Sequence, residues 1–290
     1  MTAKLKTAVL GATGYSGLEL TRILLRHPRV EKPTLLRRAA DNGGASDLAD
    51  VFPALSGNGG YPMHPLSWPA LKQQGVELLF LAIPHDASRS LVPEAMAQGL
   101  RVIDLSGAWR LKQQQHRAIY SFQDTNALTA AELTEKAVYG LPELNGDRIA
   151  DAALVANPGC YATSVILALA PLLKTGIVDR QRGLVSDSKS GVSGAGKEPN
   201  SRTHFVSVAD NLSAYSVFGH RHVGEMLEQL QLDASELIFT PHLLPIPNPA
   251  FRERGKSRPP RRISCRWPTI CPPIRCSITG MWARWWSSWN

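Results

Sequence analysis

Thr7-Ala-Val-Leu10-Gly11-Ala-Thr13-Gly14-Tyr15-Ser-Gly17 stands near the start of the chain, and its reading decides the fold. Thr7–Leu10 is a short run of strand-forming residues, and Gly11, Gly14 and Gly17 follow it. Behind them Leu18, Leu20, Ile23, Leu24 and Leu25 give a helical apolar face that ends near His27-Pro28. Strand, glycine turn and helix form the first unit of a dinucleotide-binding fold. Glycines let the backbone turn tightly and let a pyrophosphate come close, and the helix N-terminus offers it free N–H groups. The spacing is a variant of the usual fingerprint. A plain glycine turn is the competing reading of Gly11, Thr13, Gly14, Tyr15 and Gly17.

Further along, Thr34–Leu36, Val76–Ile83 and Arg101–Leu105 read as apolar strands, with a helical stretch at Ala87–Gln98. Strands alternating with helices predict a doubly wound parallel sheet. The Gly- and Pro-bearing segment Asp41–Pro69 reads as surface loop. The texture changes from Leu154. A helix is expected over Ala162–Lys174 and another over Val223–Leu232, with strands at Gly183–Asp187, Ala214–Phe218 and Leu237–Thr240. The expected class is α/β: a Rossmann-like nucleotide domain over residues 1–147, then an incomplete α+β substrate domain over 148–247, then a tail over 248–290.

Composition sets that tail apart. The chain has 290 residues and a formal net charge of +8. Residues 248–290 hold nine Lys and Arg against one acid, Glu253, so the 23 bases and 23 acids before them cancel. The tail also carries five of seven Trp and three of four Cys. The basic balance therefore says nothing about partners of the main body. The tail forms no amphipathic helix, so neither a nucleic-acid nor a membrane partner is expected. Cys265, Cys271 and Cys276 match no standard zinc spacing, and no metal is expected. No apolar run approaches the roughly 18 residues of a bilayer span. Gly11 and Gly14 interrupt the apolar stretch that a secretory signal would need, so a cytoplasmic protein is expected.

Several motifs carry chemistry. Arg37 and Arg38 follow the second strand, where an acid would accept the ribose hydroxyls of NAD; arginine suits the 2′-phosphate of NADP. Two solvated arginines are the alternative. Cys160 is the one Cys in residues 1–247 and stands in a Pro-Gly turn at a helix start. That position lowers a thiol pKa and favours a nucleophilic thiolate, although a lone Cys is more often inert. Gly219-His220-Arg221-His222, with Glu225, offers acid–base groups and an anion grip, against a bland surface patch or a metal site. Ser190, Gly191 and Gly194 lie in a glycine-rich turn suited to nicotinamide or substrate, or to a simple hairpin. Ser106, Gly107 and Arg110 follow a strand end. Arg110 reads as a phosphate ligand or as half of a structural salt bridge.

Taken in order, these motifs, with Tyr139-Gly-Leu-Pro-Glu143, Asn157–Thr163, Tyr215 and Phe239-Thr-Pro-His-Leu243, resemble N-acetyl-γ-glutamyl-phosphate reductase of arginine biosynthesis. Aspartate-semialdehyde dehydrogenase is the nearer rival; Pro158–Tyr161 and His220-Arg-His222 fit it less well. The resemblance implies NADPH, an acyl-phosphate substrate, a homo-oligomer and a thioester on Cys160. It implies a histidine acid/base, for which His220, oriented by Glu225, is favoured over His222. It gives Arg110 the phosphate and Arg221 the substrate's other charges. The family usually has proline where this chain has Gly224. After residue 247 the family pattern stops, and the tail reads as a frame-shifted translation. An inactive relic of the enzyme is therefore an alternative to a working one.

Overall fold

The computed structural model describes residues 3–38, 46–56, 60–198 and 200–246. The expectation of an irregular tail over 248–290 lies outside them. The chain opens with strand β1 (Thr7–Leu10), helix α1 (Tyr15–Arg26) and strand β2 (Thr34–Arg37). Short helix α2 (Leu48–Val51), edge strand β3 (Met63–Pro65), α3 (Trp68–Gln74), β4 (Leu78–Leu81), α4 (His85–Ala97) and β5 (Arg101–Asp104) follow. Then come α5 (Gln114–Arg117), α6 (Ala127–Lys136), β6 (Val138–Tyr139), α7 (Pro142–Asp151) and β7 (Leu154–Ala156). The seven strands form one parallel sheet in the order β3-β2-β1-β4-β5-β7-β6. Every residue of β1 and β4 is buried. Helices cover both faces of such a sheet, so its central strands are continuously apolar rather than alternating.

Two expectations about this half change. Asp41–Pro69 supplies the edge strand β3 and buries Leu48, Leu55, Tyr61 and Met63, so much of it belongs to the core. Its apolar residues are too widely spaced among Gly and Pro to show a period. The expected boundary at residue 147 falls inside α7. Beyond it, β7 pairs with both β5 and β6, so the sheet runs on to Ala156.

The second part holds α8 (Cys160–Lys174), β8 (Leu184–Gly191), α9 (Phe205–Val208), β9 (Ser213–Ala214), α10 (His222–Leu230) and β10 (Leu237–Leu244). β10 lies between β8, parallel, and β9, antiparallel. Along β10, Leu237, Phe239 and Pro241 are buried while Ile238 is exposed, the alternation of a sheet packed on one face. That inner face, with α8 and α10, makes a core of Tyr161, Val165, Ile166, Met226, Leu227 and Phe239. The expected strand Ala214–Phe218 is cut short. Ser216 turns with φ +47°, Gly219 N–H closes on its carbonyl, and Phe218 projects fully into solvent. Among the described residues, the far side of β10 is paired at His242 and Leu243, and Pro241 O accepts the Tyr215 N–H at 3.1 Å.

Candidate active site

The glycine turn is built as the spacing requires. Gly11 has φ +95°, and a Cβ there would stand 2.3 Å from Ala82 O at the end of β4. A Cβ on Gly17 would stand 2.1 Å from Gly11 O, so only glycine lets α1 pack this close to the turn. Gly14, the N-cap of α1, has no side-chain cap, and a Cβ there would meet only Gly11 O, at 3.6 Å. Space therefore remains over the positive end of a helix with no acid in its first turn, which suits a pyrophosphate. Thr13 and Tyr15 flank that space in the chain. Leu10 is in register with Leu36, which sets Arg37, the last residue of β2, and exposed Arg38 after it at the same end of the sheet as the glycine turn.

The nucleophile candidate begins α8. Gly159 is its N-cap and Cys160 its first residue. Solvent reaches Cys160, yet protein atoms crowd it from most sides. Burial pushes the thiol pKa up, against the Tyr161 N–H and Arg110, which favour the thiolate. This corrects the expectation of a lowered thiol pKa: the helix end stabilises the anion, but removal from water outweighs it.

The histidine facing this turn is His222. A Cβ on Gly159 would lie 2.4 Å from His222 Nε2, so the imidazole rests on the glycine beside Cys160. His220 stands one ring away, 4.7 Å between centroids, and packs edge-on to Tyr161 and Tyr215. Its Nδ1 accepts the His222 N–H at 3.1 Å. Burial lowers both imidazole pKa values, that of His222 to about 4, so His222 is a neutral base near pH 7. Exposed Arg221 lies over the Tyr120 ring at 5.7 Å.

Glu225 orients neither histidine by a hydrogen bond. Wholly buried, it accepts from Arg110 Nη1 (3.1 Å), Tyr139 Oη (2.8 Å) and Gly159 N (2.9 Å). Burial opposes its charge, but Arg110, His222 and these donors hold its pKa below the ordinary value. Arg110 also donates to Asn157 O and Leu105 O. Its guanidinium is thus spent inside the protein, which is the salt-bridge alternative among the two readings of this residue.

Asp104 ends β5 and bends the next loop back. Its carboxylate accepts from Ser106 N and Ser106 Oγ, and that hydroxyl accepts from Ala108 N. Gly107 lets the Tyr120 phenol close on the loop, since a Cβ there would be 2.5 Å from the hydroxyl. Ser190 and Gly191 end β8 rather than opening a loose turn, and Gly194 folds back in the following 3-10 turn. A Cβ on Gly194 would stand 3.0 Å from Ser190 Oγ. Ser190 also interacts with Tyr161, one residue from Cys160. Tyr139, Asp104 and Tyr120 carried no assigned role in the sequence. Only Tyr139 had a signal, its place in a quoted motif. The partners of Asp104 and Tyr120 appear once the chain is folded.

Family models match both halves of the chain. "Semialdehyde dehydrogenase, NAD binding domain" covers residues 6–152, and "Semialdehyde dehydrogenase, dimerisation domain" covers residues 160–249. Relatives named N-acetyl-gamma-glutamyl-phosphate reductase align from residue ranges of similar length. That of Methanosphaera stadtmanae is 40% identical over 247 residues, 84% of this chain and 68% of the relative. That of Magnetococcus marinus is 43% identical over 245 residues, 83% and 68%. Among solved structures, aspartate semialdehyde dehydrogenase II from Vibrio cholerae superposes with a TM-score of 0.56 at 17% identity, over 84% of this chain and 71% of that one. Aspartate semialdehyde dehydrogenase with NADP from Candida albicans gives 0.57 at 15%, over 84% and 68%. At such identities the structural likeness is one of fold.

Proposed function

The chain belongs to the N-acetyl-γ-glutamyl-phosphate reductases of the semialdehyde dehydrogenase family, and from that premise we propose the reaction it performs. It reduces N-acetyl-γ-glutamyl phosphate to N-acetylglutamate 5-semialdehyde and releases phosphate. The observation that carries this reading is the apposition of neutral His222 to the Gly159-Cys160 turn. His222 takes the thiol proton as Cys160 Sγ attacks the acyl carbon. The carbon–oxygen bond to phosphate breaks, and a thioester remains on Cys160. A bound nicotinamide supplies the hydride that this thioester carbonyl accepts. Collapse of the thiohemiacetal breaks the carbon–sulfur bond and frees the aldehyde, with His222 handling the proton. His222 takes this role in preference to His220 because its ring covers the turn itself. Arg221, exposed beside Tyr120, is the better cation for the substrate's negative groups, because Arg110 is engaged internally.

NADP is the proposed dinucleotide, held over Gly11–Gly17 with Arg37 and Arg38 toward the 2′-phosphate. The exposed outer face of the second sheet, with Val185 and Ile238, supports a homo-oligomer. The test is the reverse reaction: phosphate-dependent reduction of NADP with N-acetylglutamate semialdehyde. Turnover supports the proposal. Turnover only with aspartate semialdehyde assigns the chain to the rival substrate. The composition break after residue 247 favours a second reading, an inactive relic, and a folded chain without turnover on either substrate establishes it.

A further inference from the structure

The buried bonds around Glu225 run between elements far apart in sequence. Glu225 sits one turn into α10, whose first residue is His222. Its Oε2 accepts both the Gly159 N–H, just before Cys160, and the hydroxyl of Tyr139. Tyr139 ends β6 at the sheet edge, where Asn145 Nδ2 donates to its carbonyl. One carboxylate oxygen therefore ties three things together: the helix that carries the base, the cap that carries the nucleophile, and the nucleotide-domain sheet. The same helix presses His222 onto Gly159 with no room for a methyl between them.

From this the geometry points to Tyr139 as a positioning residue for thiol activation, acting through Glu225. The inference rests on the proposed thioester chemistry. The Tyr139 hydroxyl fixes the Glu225 carboxylate. That carboxylate fixes the Gly159 N–H, and so sets the angle at which Cys160 meets His222. Tyr139 touches no reacting atom. Its ring fills the core around Leu141 and Tyr161, so Phe keeps the packing and removes only the hydroxyl. The groups acting on the thiol are Arg110, Glu225, Tyr161 and Tyr215, with His222 on the preceding residue and His220 behind it.

The test compares the full chain with Tyr139→Phe and Glu225→Gln. We expect kcat to fall roughly ten- to a hundredfold with KM nearly unchanged, as for a small misplacement of reacting groups. The pH profile of Cys160 alkylation by iodoacetamide should move to higher pH in Tyr139→Phe, where Glu225 keeps its charge and loses a donor. It should move to lower pH in Glu225→Gln, where a charge that raises the thiol pKa is gone, while NADPH binding stays constant in both. A folded Tyr139→Phe variant with unaltered kcat and unaltered alkylation profile overturns the inference. So does failure of both variants to fold, because the network is then structural alone. If Cys160→Ser keeps its turnover, the thioester reading itself fails, a result separate from either outcome at Tyr139.

Discussion

Cys160 and His222 make the sharpest demands on single side chains. Cys160→Ser should keep dinucleotide binding and lose turnover by at least about 10³-fold, since nucleophile and base act as a unit. Steady-state kinetics with a fluorescence titration of NADPH checks both halves. Serine-variant turnover near that of the unaltered chain rejects the assignment. His222 makes a separate demand on stability. Its pKa falls from 6.5 when unfolded to about 4 when folded, so the unfolded chain binds its proton first. Its contribution is complete above pH 6.5 and is lost as the pH falls toward 4. The loss is on the order of 3 kcal/mol. Urea midpoints at pH 7 and pH 4.5 should therefore differ less in His222→Gln than in the unaltered chain. Equal pH dependence in the two proteins removes His222 as the cause. At Arg37 and Arg38, double replacement by Ala should weaken NADPH by roughly 1–3 kcal/mol and leave NADH alone, since hydrogen bonds to a charged phosphate are the ones removed. Equal losses for both dinucleotides defeat the NADP proposal.

At the scale of elements, Gly224 shows how neighbours decide a helix start. Arg221 is the N-cap of α10, so Gly224 is its third residue and not the first-turn N1 position where a proline adds most. A Cβ there would stand 2.8 Å from His116 Cβ and 3.3 Å from Leu111 Cδ2. His116 uses the space to reach Glu228, 3.0 Å away, and Glu228 also accepts the Lys112 and Gln113 N–H groups. The family's usual proline therefore does not fit this chain as it stands. Gly224→Pro should destabilise by about 1–3 kcal/mol through overpacking. His116→Gly in the same chain, which removes the clashing Cβ, should recover part of that loss. Thermal melts of the two variants test the coupling, and simple additivity argues against the contact. Several strands and helices were legible where burial was complete or one-sided. β4 is an unbroken apolar run, β1 is apolar after Thr7, β5 carries Val102 and Ile103 between Arg101 and Asp104, and α10 repeats Val223, Met226, Leu227 and Leu230. β3, β6, β7 and β9 were not legible as they stand, because strands of two or three residues are too short to show a period. Cys160 and the histidine pair stood out by residue type and turn context. The part of Glu225 did not, because its partners Tyr139, Gly159 and Arg110 come from three distant stretches. For the same reason the sequence favours His220, whereas in the fold it is His222 that rests on Gly159.

Over the whole molecule, the chain spans 68% of the length of the relatives it matches. We propose that residues 248–290 come from a shifted reading frame, on the ground that acids nearly vanish while Arg, Trp, Pro and Cys rise together. Translating the gene in its two other frames after codon 247 decides this. A frame continuing with alternating strands and a terminal helix supports it, and two frames without them end it. Among the described residues, no helix is long and apolar enough to cross a membrane.

The pair Arg110 and Glu225 has a further consequence during synthesis. The two residues lie 115 positions apart, the cation on the ribosome's earlier product and the carboxylate on its later one. At cellular elongation rates, roughly 5–20 residues per second, the nucleotide domain emerges on the order of ten seconds before its counter-charge. For that interval Arg110 has Asp104 and the Leu105 carbonyl near it but lacks its closest counter-charge, and burying a guanidinium is costly until that charge is in place. The last of the bonds that enclose Arg110 thus forms only when α10 arrives with Glu225.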